Sequence, residues 1–325
     1  MNGLRGFRNV RRTEARGWSL VEFMVALALG LVVSLLASGL FLATGSNYRN
    51  HSDNAWLNDS GRYAMQIMAQ AIRQGAYVNW DSEVVPIDLN ADVPAAIDGR
   101  DASSISRGSD GIGSPLPPVA NGSDVLALRF SGTGSGANGD GSSLNCAGFG
   151  VAAPADANAR GWSIFYVAAD AGGDAELRCK YRGASGWGAD AIVRGVDSFQ
   201  VLYGLDTDTP LDGVPNTYLN ASALRALDDA LALEGATPEE LLRDRHRKTY
   251  WKRVCSVKLA LLLHGDGNSR VDTVNTRFDL FGAAYSESHG EDVGVRILES
   301  NFPEPERRRA RRVFNMTVAL RNRGG

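Results

Sequence analysis

Residues 16–43 read RGWSLVEFMVALALGLVVSLLASGLFLA, and the rest of the chain is understood outward from them. From Trp18 to Ala43 only Ser19, Glu22, Ser34 and Ser38 break an otherwise apolar run of 26 residues. As a helix this run spans roughly 39 Å at about 1.5 Å per residue, enough to cross a bilayer. The 17 residues before it hold five arginines and one acid, Glu14, a balance of +4. Such a flank stays on the cytoplasmic side and places everything after Ala43 across the membrane. A general secretory signal is the competitor, with Ala43-Thr44-Gly45 as a loose cleavage site, but its apolar region usually runs only about 7–15 residues. A plain anchor leaves Glu22 unexplained, because a carboxylate inside an apolar span costs roughly 2.5–3.5 kcal/mol on insertion scales. Glu22 therefore needs a cationic partner, and a new α-amino group at Trp18 would supply one.

The whole chain has 325 residues, 34 Lys+Arg and 37 Asp+Glu, for a net charge of −3. That balance argues against a dedicated nucleic-acid binder. Taking the +4 leader from the whole-chain −3 leaves an acidic body of −7. The length suits one or two domains with a real core. The 37 glycines forecast long loops, and three cysteines exclude a disulfide-dense mini-domain. Only four basic residues are lysines, so an arginine cluster carries little information. The first 45 residues disfavour a simple cytoplasmic enzyme.

Arg16-Gly17-Trp18-Ser19-Leu20-Val21-Glu22, after its basic leader and before its long apolar helix, resembles the class III signal of type IV pilins and pseudopilins. The resemblance implies cleavage by a prepilin peptidase after Gly17, methylation of Trp18, and a Glu22 that pairs with a neighbouring subunit's ammonium group in the filament core. Phenylalanine is the usual first mature residue in that family, so Trp18 departs from the pattern. Residues 61–77, 195–204 and 311–322 further resemble blocks of the PilW-type minor pilins, with residues 81–123 and 207–248 carrying little of the likeness. The implied fold is α+β and pilin-like: a long N-terminal helix packed on a mostly antiparallel β-sheet with long loops.

The organisation expected is a cleaved leader at 1–17, a membrane or filament-core helix at 18–43, its amphipathic continuation at 44–77 and a periplasmic β-rich domain at 78–325. Ala26, Gly30, Ser34 and Ser38 form a small-residue stripe that suits close helix approach, although such residues are common in membrane helices anyway. Residues 44–54 are polar without a clear period. Tyr63, Ile67, Met68, Ala71 and Ile72 then fall on one helical face, with Gly75 as the stop. Residues 81–123, rich in Pro, Gly, Asp and Ser, predict an exposed irregular excursion. Strands are predicted at 124–130, 162–168, 176–182, 196–203, 254–263, 276–281 and 312–320. Two short helices are predicted between 219 and 247, the second opened by Thr237-Pro238-Glu239-Glu240.

Cys146 and Cys179 flank a predicted strand and, in an oxidising periplasm, are the favoured disulfide pair. Cys255 sits in an apolar strand and is expected to be buried and free, although three cysteines allow three pairings. Asp206, Asp208 and Asp212 hint at a calcium loop, but their spacing departs from the template and an acidic turn is favoured. Gly134-x-Gly136-x-x-Gly139 satisfies a dinucleotide fingerprint but precedes no helix and reads as linker. No P-loop, HExxH or G-x-S-x-G occurs, and the four histidines (51, 246, 264, 289) are scattered. The arginines of 307–312 read as a solvated loop entering the last strand, not a DNA site.

Three functions compete. The first is a minor pilin that helps initiate type IV pilus assembly with other minor pilins, the major pilin, the prepilin peptidase, the inner-membrane platform and a tip adhesin. It requires no catalytic residue, cofactor or nucleic acid. It would sit as a single-pass protein of the bacterial inner membrane with its C-terminal domain in the periplasm, then in the pilus. The second is a type II secretion pseudopilin. The third, different in kind, is a membrane-anchored periplasmic enzyme or binding module.

Overall fold

The computed structural model describes residues 17, 19–77, 90–268, 270 and 275–321. The chain divides into two units, Met1–His51 and Ser52–Gly325. Helix α1 occupies Leu20–Gln74, 55 residues. No proline falls within it. The aperiodic interval 44–54 is helical too, because extending an existing helix costs far less than nucleating one.

In the second unit the buried face of α1 includes Leu57, Ala64, Met65, Met68, Ala71 and Ile72. Tyr63, expected on that stripe, is instead 56% exposed. The helix ends at Gln74, directly before the expected stop Gly75. Gly75 N–H still donates to the Ala71 carbonyl at 2.9 Å, and the left-handed residue is Ala76, with φ 59°. Ala76 N–H then donates to the Arg129 carbonyl at 3.0 Å, which ties the helix end to a strand.

The strands are β1 Ile97–Arg100, β2 Ser104–Ile105, β3 Pro115–Leu116, β4 Val125–Phe130, β5 Gly161–Ala169, β6 Ala175–Gly183, β7 Gly186–Arg194, β8 Val196–Leu205 and β9 Thr217–Leu219. After helices α2 Ala221–Asp229 and α3 Pro238–Lys248 come β10 Val254–His264, β11 Arg277–Asp279, helix α4 Ala283–Ser288, β12 Arg296–Leu298 and β13 Arg311–Ala319. Two antiparallel sheets result, ordered β1-β4-β5-β6-β7 and β13-β10-β8-β9, with the small pairs β11-β12 and β2-β3. The fold is thus α+β, an N-terminal apolar helix followed by antiparallel sheets.

The main core joins the buried face of α1 to Leu126, Phe165, Leu177, Val201 and Leu259 from both sheets. Strand β8 is buried along its whole length and β10 nearly so, because both faces of their sheet are covered. Behind β10, Leu280, Ile297 and Phe302 form a second layer over Ala260 and Leu262. Behind the five-stranded sheet, Ile105 and Ile112 cover Val125, Ala127, Ile164 and Tyr166. This corrects the expectation of an exposed excursion over 81–123. Of its described part, β1 is a sheet strand and the segment around Ile105 and Ile112 is a lid on that sheet; residues 81–89 lie outside the described residues. Strand β7 was not expected at all, and 276–281 yields only three strand residues, Arg277–Asp279.

Helix α3 starts as its sequence demands. Thr237 accepts from Glu240 N–H at 3.2 Å while the Glu240 carboxylate accepts from Thr237 N–H at 3.1 Å, and Pro238 holds the first helical position.

Candidate assembly helix and polar clusters

The start of α1 is a capping box. Ser19 N–H donates to Glu22 Oε2 at 2.9 Å, and Glu22 N–H donates to the Ser19 hydroxyl at 3.2 Å. Glu22 therefore has a local role that the sequence reading did not include, closing the N-terminus of its own helix. Gly17 is exposed just ahead of it; Trp18 lies outside the described residues. Leu20–Phe41, 22 residues with a mean hydropathy of 2.5, is long and apolar enough to cross a membrane, and none of it is buried within the protein. The hydroxyls within it are satisfied by their own helix: Ser34 donates to the Gly30 carbonyl and Ser38 to the Ser34 carbonyl, each at 2.8 Å. Such back-bonding lets a polar side chain sit in an apolar medium without an external partner.

In the second unit the structure joins Cys146 to Cys179 in a disulfide, with Cα atoms 5.9 Å apart, while Cys255 is buried and unbridged. The bridge fastens the long loop between β4 and β5 to β6. On one side of that loop lies a groove of about 480 Å³, walled by Tyr63, Gln70 and Gln74 of α1 and by Asp190–Ile192 of β7.

The candidate calcium residues come together. Ligand oxygens of Asp206, Asp208 and Asp212 lie within 4.8 Å of one another. Those oxygens already accept local donors: Asp206 takes Asp208 N–H at 3.1 Å and Gly213 N–H at 2.6 Å, Asp212 takes Val214 N–H, and Asp208 takes the Asn216 amide. These bonds account for the cluster as the turn between β8 and β9. The glycines of the dinucleotide-like motif are loop residues, with Gly134, Gly136 and Gly139 all at positive φ.

Two polar clusters were invisible in the sequence. His264 Nδ1 lies 2.9 Å from Asp197, and Arg311 pairs with the other Asp197 oxygen at 2.8 Å. This looks like two thirds of a hydrolytic triad. However, His264 Nε2, which would face a nucleophile, is taken by Arg309 at 2.8 Å. The arginine run is thus partly structural, and Arg312 likewise reaches Asn58 on α1. The second cluster centres on Lys180, fully buried on β6. Its ammonium donates to the carbonyls of Ser106, Ser109 and Gly111 at 3.0, 2.7 and 2.9 Å. Burial pushes the Lys180 ammonium down to about 8, against a weaker upward pull from Asp110.

An exposed apolar N-terminal segment ahead of a β-rich unit of two antiparallel sheets is consistent with anchoring in a membrane. Residues 164–322, from β5 to just beyond β13 and slightly under half of the chain, match the family model described as Type IV Pilus-assembly protein W. The resembling blocks at 195–204 and 311–322 fall inside the match, whereas residues 16–22 and 61–77 fall outside it. No curated protein matches. Among solved structures the chain is similar to a type IV-like pilin from Thermus thermophilus, at 13% identity over 83% of this chain and 97% of that one. The TM-score of 0.38 is too low for that likeness to carry an argument.

Proposed function

We propose that this chain is a minor pilin of a type IV pilus, processed by a prepilin peptidase after Gly17 and taken from the inner membrane into the filament, where it helps initiate assembly with other minor pilins and the major pilin. The observation that carries this reading is the exposed apolar segment Leu20–Phe41, which carries Glu22 five residues after Gly17, in a chain whose residues 164–322 match a pilus-assembly family. In this scheme the apolar helix enters the filament core, the β-rich unit faces outward in the periplasm and then on the pilus, and the role is structural. Trp18 carries the new, methylated α-amino group. Glu22 pairs with that group on a neighbouring subunit, where low dielectric strengthens the attraction.

Since the structure also gives Glu22 a capping role, two substitutions separate charge from cap. Glu22→Leu removes both, whereas Glu22→Gln keeps an acceptor for Ser19 N–H and removes only the charge. If charge sets the register, both variants reach the membrane at normal levels and both disappear from sheared filaments. Normal incorporation of Glu22→Gln would confine Glu22 to the cap. Normal incorporation of both would favour an ordinary anchor and sink the assembly role.

A further inference from the structure

His264 closes β10, opposite Arg311 in the register of β10 and β13, and is only 9% exposed. Its two ring nitrogens face groups of opposite kind. Nε2 lies 2.8 Å from Arg309 Nη1, and because a guanidinium has donors and no acceptor, Nε2 must supply a lone pair. The proton of the neutral ring then sits on Nδ1, which donates to Asp197 Oδ1 at 2.9 Å. The site thus accepts one tautomer of the uncharged imidazole.

A second ring proton finds no acceptor there. The other oxygen of Asp197, on β8, already takes Arg311 Nε at 2.8 Å, and Arg311 Nη2 is itself buried without a hydrogen-bond partner. Arg309 forms no ion pair among the described residues. The other charged groups around the ring are engaged or turned elsewhere. Arg270 pairs with Glu299 at 2.6 Å, Arg307 donates to the Phe302 and Ser300 carbonyls, and Arg312 reaches Asn58. Asp53 of α1 lies against Gly265 and Gly267, and Asp266 and Arg308 are exposed. Protonation of Nε2 would set an N–H against the Arg309 N–H and place three cations around one carboxylate.

The Arg309 contact lies between two backbone bonds that tie residues 304–310 to the end of β10 and the loop after it. Gly265 N–H donates to the Ala310 carbonyl at 2.9 Å, and Arg270 N–H to the Arg308 carbonyl at 3.0 Å. We propose that His264 and Arg309 form a pH-sensitive latch: the neutral imidazole holds residues 304–310 in place, and its protonation in mild acid expels the Arg309 guanidinium and loosens that segment. The latch belongs to the second unit and does not depend on how the N-terminus is processed.

Hydrogen exchange of the full-length chain in detergent micelles tests it, at about pH 7.5 and about pH 5, on either side of the range in which imidazoles titrate. With intrinsic exchange rates corrected for pH, protection at the Gly265 and Arg270 amides should fall about tenfold in acid, the loss of one hydrogen bond from a charged donor. Protection at Val257 and Ala260, inside β10, should not change. His264→Gln keeps an acceptor for Arg309 but does not titrate, so it should hold its neutral-pH protection at both values. Arg309→Met, at a half-exposed position that leaves the buried ring untouched, should show the low protection at both. Equal protection of the unaltered chain at the two pH values would overturn the latch, as would an acid-dependent fall that persists in either variant.

Discussion

Lys180 reports what a single residue does in the second unit. Its ammonium holds three carbonyls of the segment that lids the outer face of the five-stranded sheet, with the Trp187 ring 4.8 Å from Nζ. Lys180→Met would leave those carbonyls without their donor in a buried place, so we expect a loss of about 2–4 kcal/mol in urea unfolding. The ionisation has its own signature. The folded-state pKa of about 8 lies below the unfolded value of roughly 10.4, so between those limits the unfolded chain binds more protons. Stability should therefore rise as pH increases from about 8 to about 10.5, and thermal unfolding of Lys180→Met should lack that rise. An identical slope in the variant would assign it to another group. Neither this cluster nor the Asp197–His264–Arg311 one was legible in the sequence. Lys180 and Gly111 are separated by 69 positions, and no local pattern links them. The Ser19–Glu22 capping box was legible in principle from its spacing, but the apolar context directed attention to charge alone.

Among elements, legibility followed periodicity and residue type. Strands β4, β5, β8, β10 and β13 are rich in branched and aromatic residues, and they and β6 stand within a residue or two of their expected bounds. Strand β7, reading GWGADAIVR, has two glycines, two alanines and an aspartate among its first six residues, and pairing with β6 alone makes it a strand. The lid over 101–123 reads as loop because its hold on the sheet comes from isolated apolar residues and a distant lysine. Packing between elements gives two tests. At Gly61 a Cβ would run into the Phe314 ring, so α1 approaches β13 closely enough that a side chain here must displace that ring. Gly61→Ala should cost about 1–3 kcal/mol despite its better helix propensity; a gain of stability would show that this contact is slack. The Cys146–Cys179 bridge spans 33 positions, for which the chain-entropy model gives roughly 3–4 kcal/mol. Replacing both cysteines by serine should lower the urea unfolding free energy by about that much, whereas no change would mean that the loop is held without it.

At the scale of the molecule, the chain combines an apolar helical segment, Leu20–Phe41, none of it buried within the protein, with a β-rich unit that carries all of the family match. The apolar segment and the acid near its start were readable at once, since hydropathy and charge are local properties. The split into two sheets, with a covered outer face on each, was not readable, because which apolar strand faces which layer depends on contacts between distant segments. The most direct experiment is the N-terminal sequence and intact mass of the protein from its native membrane, in cells with and without prepilin peptidase. A chain that begins at Trp18, with the added mass of one methyl group, only when the peptidase is present is the expected result. A chain that keeps Met1 in both strains, or begins near Ser46, would contradict the assignment of this protein to a pilus.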